Sequence, residues 1–106
     1  RPEILIMDEP FASVDAQTRF DLEDLCLQLR LDFGITILLV THDIDEAVYL
    51  GDRVIVLGAK PARVREVIDV DLPSSRDQIT TRALPRFAEL RTEVLSLIKR
   101  GGETSL

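Results

Sequence analysis

Four residues stand out for the chemistry that their types and spacing allow. Asp8 and Glu9 lie side by side after a short apolar run, Asp15 follows closely, and His42, the only histidine, comes just past a second apolar run. Successive residues of an extended chain point to opposite faces, so two adjacent carboxylates divide labour rather than share one task. Phosphoryl transfer from a magnesium nucleotide needs such a division: one carboxylate holds the cation, often through water, and a second group orients or deprotonates the attacking water. Asp8 fits the first role and Glu9 the second. An imidazole at position 42 could donate to a γ-phosphate oxygen as charge develops there. The blander readings are a solvated strand end for Asp8 and Glu9, a turn histidine bonded to backbone for His42, and a helix cap for Asp15.

The elements that must position these residues are legible in the hydropathy pattern. Ile4 to Met7 is a continuous apolar run closing on Asp8-Glu9-Pro10, which predicts a parallel strand buried on both faces. From Asp15 to Phe33, Leu22, Leu25, Cys26, Leu29 and Phe33 recur at helical spacing, with Asp15 as cap and Gly34 as stop. Ile35 to Val40 is a second buried run, so strand, helix and strand form a right-handed crossover with parallel strands whose C-terminal ends face the same way. Open α/β sheets place their ligands at that edge. Asp43 caps a short helix through Leu50, with Glu46 in the capping-box position and Gly51 as the stop. Arg53 to Leu57 and Val64 to Leu72 predict an antiparallel hairpin around Gly58–Ala62. Beyond Pro73, Phe87, Leu90, Val94 and Leu97 mark an amphipathic helix that opens near Pro85 and stops at Gly101, with a frayed tail from Gly102 to Leu106.

Composition narrows the function classes. A net charge of −6 runs against a nucleic-acid footprint, which gathers lysine and arginine to neutralise phosphates. The longest apolar runs fall far short of the roughly 20 residues of a membrane-spanning helix, and no stretch of this sequence reads as a signal peptide. Cys26 is the only cysteine and falls in an apolar helical pattern, so it reads as a small core residue in a reducing compartment. The chain opens without methionine, directly on a strand-like run, which reads as a piece cut from a longer protein.

In this order and spacing the motifs resemble those of ATP-binding cassette (ABC) ATPases. Ile4-Leu5-Ile6-Met7-Asp8-Glu9-Pro10 is similar to the Walker B strand with its catalytic glutamate, Phe11 to Asp15 to the D-loop, and Leu39-Val40-Thr41-His42-Asp43 to the switch-histidine loop. The family's usual Ser-Ala-Leu-Asp is Ala12-Ser13-Val14-Asp15 here, so the hydroxyl is displaced by one residue. The likeness continues through Asp43–Leu50 and Asp52–Leu57, and the later Ala59-Lys60-Pro61-Ala62-Arg63-Val64, Leu72-Pro73, Arg76-Asp77 and Thr81-Arg82 most resemble the subfamily importing nitrate, sulfonates or taurine.

The resemblance implies a partial P-loop NTPase (RecA-like) core over residues 1–72, α/β with parallel strands, a C-terminal β-hairpin and flanking helices, and a helical extension and tail over 73–106. It implies ATP and Mg2+ in the complete domain, with Asp8 on the magnesium, Glu9 and His42 catalytic, His42 at the γ-phosphate, and Asp15 at a head-to-tail dimer interface as well as at its cap. The implied partners are transmembrane permease subunits and a second ATPase subunit, at the inner face of a bacterial membrane. A phosphate-cradling loop, a glutamine loop and the Leu-Ser-Gly-Gly-Gln signature do not occur in the chain. The isolated chain is therefore expected to be inactive and, with sheet edges and apolar faces left uncovered, to self-associate. Two other functions fit the sequence: a non-enzymatic dimerisation or regulatory module built on the helix 85–100, and a non-transport ABC-type ATPase.

Overall fold

The structure, a computed structural model, describes residues 3–59 and 62–104. The elements run β1 (Ile4–Asp8), α1 (Ala16–Phe33), β2 (Thr36–Val40), α2 (Ile44–Leu50), β3 (Arg53–Ala59), β4 (Ala62–Asp69) and α3 (Pro85–Thr104). The middle of the expected hairpin loop, 60–61, and the last two residues of the expected tail lie outside the described residues.

The two strand pairs form separate sheets. β1 and β2 run parallel in register from Ile4↔Thr36 to Asp8↔Val40, so their C-terminal ends are level. β3 and β4 run antiparallel, with an irregularity between Val56 and Leu57. Each helix boundary has a local cause. Asp15 accepts the Thr18 N–H at 3.3 Å to start α1, and Gly34 ends it at φ 61° while donating to the Arg30 carbonyl at 2.9 Å. Gly51 closes α2 where a Cβ would lie 2.8 Å from the Ala47 carbonyl oxygen and 2.9 Å from that of Arg53. The Arg76 guanidinium caps the same end, donating to the Tyr49 and Gly51 carbonyls at 3.1 and 3.0 Å.

The core lies between α2, the hairpin and α3. Val48, Tyr49, Val54, Val56, Ile68, Val70 and Leu72 pack with Phe87, Leu90 and Val94, and Leu27 is α1's contribution. Arg82 lies over the Tyr49 ring at 4.7 Å, and the Tyr49 hydroxyl donates to Asp24 at 2.8 Å, which ties α1 to α2.

Three expectations change. β1 and β2 were expected to be buried on both faces, yet Ile4 and Ile6 are each 66% exposed and Leu38 and Val40 are also open, because a two-stranded sheet has no layer on either side to cover it. On α1 the buried pair is Glu23 and Leu27, while Leu25 and Phe33 of the expected apolar stripe face solvent. The helix packs toward α2 rather than across the parallel strands. Finally, α3 continues through Gly101 to Thr104: a glycine costs a helix only about 1 kcal/mol and does not by itself stop one.

Candidate functional site

Two short turns leave the level ends of β1 and β2. Glu9 N–H donates to the Val40 carbonyl at 2.7 Å, extending the ladder one residue past Asp8. The chain then breaks away at Glu9 itself, whose φ of 50° is the only positive value at a described non-glycine residue. That left-handed conformation costs a glutamate about 1 kcal/mol or more. Phe11, 6% exposed, anchors the loop that follows. On the other strand the Asp43 N–H donates to Thr41 Oγ1 at 3.0 Å and the Asp43 carboxylate accepts the Glu46 N–H at 3.1 Å. His42 is thereby held between a closed turn and a helix cap.

The result is a direct hydrogen bond between the Glu9 carboxylate and His42 Nδ1. With Glu9 ionised the imidazole donates from Nδ1 and keeps Nε2 free to serve another group. The contact opens onto a cleft of about 380 Å³ lined by Glu9, Phe11, Arg19, Thr41, His42 and Glu46, with Asp43 beside them. Arg19 reaches in from α1, donating to the Val14 carbonyl at 3.2 Å and standing 3.8 Å from the Asp43 carboxylate, while its Nε is buried without a partner among the described residues.

Of the four residues singled out in the sequence, Glu9 and His42 come together. Asp8 is exposed at the strand end and does not line the cleft. The Asp15 carboxylate is engaged in its cap, and the Thr18 hydrogen bonds hold its pKa below the ordinary carboxylate range. Among the described residues no three histidine, cysteine, aspartate or glutamate side chains gather as a metal cage. A single exposed carboxylate such as Asp8 does fit Mg2+, which keeps most of its ligands as water and phosphate oxygens. The cleft does not fit a triphosphate by itself: Glu9 and Asp43 bring negative charge and Arg19 is its one permanent cation. Cys26 is half-buried, and burial with Glu46 and Glu23 nearby raises its thiol pKa, the opposite of what a nucleophile needs.

Glu46 was not singled out, because a glutamate three residues after a cap reads as the second half of a capping box. Its amide does take part, but Thr41 takes the place of its side chain at the Asp43 N–H. The Glu46 carboxyl is instead 4% exposed. Burial pushes its pKa up to about 7; the Thr41 hydroxyl lowers it, and the hydrogen bond and charge of Glu23 and the charge of Asp43 raise it. Nothing local in the sequence marks this, since Glu23 is remote in the chain.

No protein-family model matches the chain. Curated relatives do. The chain is 50% identical over 95 residues to an aliphatic sulfonates import ATP-binding protein of Pseudomonas syringae pv. tomato, covering 90% of this chain and 39% of that protein. It is 46% identical over 99 residues to another from Pseudomonas syringae pv. syringae, covering 93% and 40%. An ABC transporter ATP-binding protein of Methanocaldococcus jannaschii is 45% identical over 98 residues, covering 92% and 35%. The chain thus spans about two fifths of the length of the relatives it matches.

Proposed function

Because the chain is homologous over about nine-tenths of its length to ABC transporter ATP-binding proteins, we propose that it is the hydrolytic part of an importer ATPase. In this reading ATP turnover drives uptake of a small anion such as an aliphatic sulfonate, nitrate or taurine. The sulfonate-import names of its relatives support that substrate class, and the Glu9–His42 contact at the level ends of two parallel strands is the observation that carries the reading. The two strands would then be part of a RecA-like P-loop core in the longer protein, followed from residue 73 by a helical extension.

The roles follow from position. Mg2+, when bound, would supply positive charge against the phosphate oxygens, and Asp8 is the residue of this chain that would hold it, through water. Glu9 orients and deprotonates the attacking water. His42, fixed through Nδ1 by Glu9, presents Nε2 toward a γ-phosphate oxygen. Asp15 keeps α1 capped while its loop faces a second ATPase subunit in a head-to-tail dimer. The partners are that subunit and transmembrane permease subunits at the inner face of the cell membrane. No described helix is long and apolar enough to cross a membrane itself.

The test is phosphate release from the full-length subunit with ATP and magnesium. Glu9→Gln should lower the rate by about 100-fold or more while nucleotide binding persists, in line with the loss of a general base. The isolated chain should release no phosphate above background. A Glu9→Gln subunit that hydrolyses ATP at the unsubstituted rate would overturn the assignment.

A further inference from the structure

The roles above give no task to Arg19, the cation that α1 places in the cleft. One terminal nitrogen of its guanidinium donates to the Val14 carbonyl at 3.2 Å, and the other stands 3.8 Å from Asp43 Oδ2. These two acceptors belong to different turns. Val14 closes the turn that follows β1: the Ala12 N–H donates to the Glu9 carbonyl and the Val14 N–H to the Phe11 carbonyl, both at 3.4 Å, so consecutive turns wind the backbone from Glu9 to Val14. Asp43 closes the turn that follows β2. Its Oδ1 accepts the Glu46 N–H at 3.1 Å and its own N–H donates to Thr41 Oγ1 at 3.0 Å, with His42 held between them. The Asp43 carboxylate thus caps α2 with one oxygen and turns the other toward Arg19. The guanidinium keeps this pose at a cost, because its Nε is buried without an acceptor among the described residues and an unpaired buried donor is unfavourable. The contacts at its two terminal nitrogens hold it there. Its backbone is fixed as well, since the Arg19 N–H donates to the Asp15 carbonyl at 2.9 Å.

We propose that Arg19 is a positioning residue: by gripping the Val14 carbonyl and the Asp43 carboxylate together, it ties the turn carrying Glu9 to the turn carrying His42 and sets the contact between them. The parallel ladder levels the strand ends but reaches only as far as the bond from the Glu9 N–H to the Val40 carbonyl. Past that point, among the described residues, the hydrogen bonds and ion pairs that cross between the two turns are the Glu9–His42 contact and the Arg19 fork. Without the fork, the turns are joined only by the pair whose spacing is at issue. Arginine suits the task, because its planar fork offers separate nitrogens to two acceptors and stays charged throughout the physiological pH range. Both members of the Arg19–Asp43 pair are partly solvated, so the pair adds little to stability and acts on geometry. The bearing of this tie on catalysis rests on the ATPase reading, but the tie itself does not.

His42 is the only histidine of the chain, so its ring signals in the NMR spectrum report the contact without ambiguity. At fixed pH, Glu9→Gln supplies the reference for a weakened contact. Arg19→Met, which keeps the stem and removes the fork, should move the His42 ring signals toward that reference, with the dispersion of the amide spectrum confirming the fold. Asp43→Asn retains a residue that caps helices well and removes the charge facing Arg19. Residues that act as one unit do not add, so the Arg19→Met, Asp43→Asn double variant should shift His42 by less than the sum of the two single shifts. The proposal is overturned if Arg19→Met leaves the ring signals superimposed on the unsubstituted ones, or if the two single shifts simply add. In the full-length subunit with ATP and magnesium, Arg19→Met should lower kcat about tenfold and leave KM for ATP within about twofold, the pattern of a misplaced catalytic group rather than of lost nucleotide binding. An unchanged kcat would overturn the positioning role. A full-length subunit that releases no phosphate even unsubstituted would sink the ATPase reading instead, and the His42 spectra would still decide whether Arg19 ties the turns.

Discussion

Burial reverses the usual pH behaviour of a carboxylate at Glu46. An ordinary surface glutamate has lost its proton well below neutrality in both folded and unfolded chains, whereas this one is pushed up to about 7 in the fold. Between the ordinary carboxylate range and that value the native state binds a proton which the unfolded chain releases. The resulting stabilisation is fully present below the ordinary range and is lost as pH rises through about 7. Urea unfolding should therefore show stability falling by about 1–2 kcal/mol between pH 5 and pH 8. Glu46→Gln, neutral throughout, should flatten the slope and exceed the unsubstituted chain at pH 8. An unchanged slope in that variant would show that the carboxyl is solvated. At the same scale, Glu9 illustrates local strain at the candidate site: a left-handed glutamate persists because the ladder bond to Val40 on one side and buried Phe11 on the other hold it there.

At the scale of elements, α2 is the piece on which the site depends. Its N-terminal cap closes the His42 turn, its buried face carries Val48 and Tyr49 into the core, and its C-terminus is sealed by Gly51 and Arg76. α3 braces it from outside, with Arg91 donating to Asp45 at 2.7 Å. The seal at Gly51 is steric: a methyl there meets two backbone oxygens that cannot rotate away. Gly51→Ala should cost about 2 kcal/mol and lower Tm by roughly 10 °C in thermal unfolding, because helix end and β3 must move apart. Gly34→Ala differs, since nothing lies within 4 Å of the added atom and only the left-handed φ of 61° is penalised, at about 1 kcal/mol. Equal melting points for the two variants would refute the steric account of Gly51.

At the scale of the whole molecule, the apolar surface is divided unevenly. One half of the chain closes a core around Phe87, Leu90 and Tyr49, while the parallel strands expose Ile4, Ile6, Leu38 and Val40 together. A two-stranded parallel sheet open on its faces and edges is a template for association. The isolated chain should form dimers or larger species in light scattering as concentration rises, and Ile6→Lys should reduce this without lowering the helical signal. A compact monomer at high concentration would exclude the idea.

The sequence by itself determined whatever depends on neighbours along the chain. Apolar runs ending at Asp8 and Val40, caps at Asp15 and Asp43 and stops at Gly34 and Gly51 place every element before Arg53, because strand alternation, helix capping and backbone freedom act over a few residues. The same runs put Glu9 and His42 at one sheet edge, since parallel strands joined by a helix must end on the same side. Tertiary structure alone decided which faces are buried, because burial depends on what else is present: the apolar stripe of α1 lost to Glu23 and Leu27, and the parallel strands stayed open. It alone buried Glu23, paired with Arg82, close to Glu46 as well. A carboxyl that reads as half of a helix cap becomes a buried neighbour of the site only when residues remote in sequence close over it.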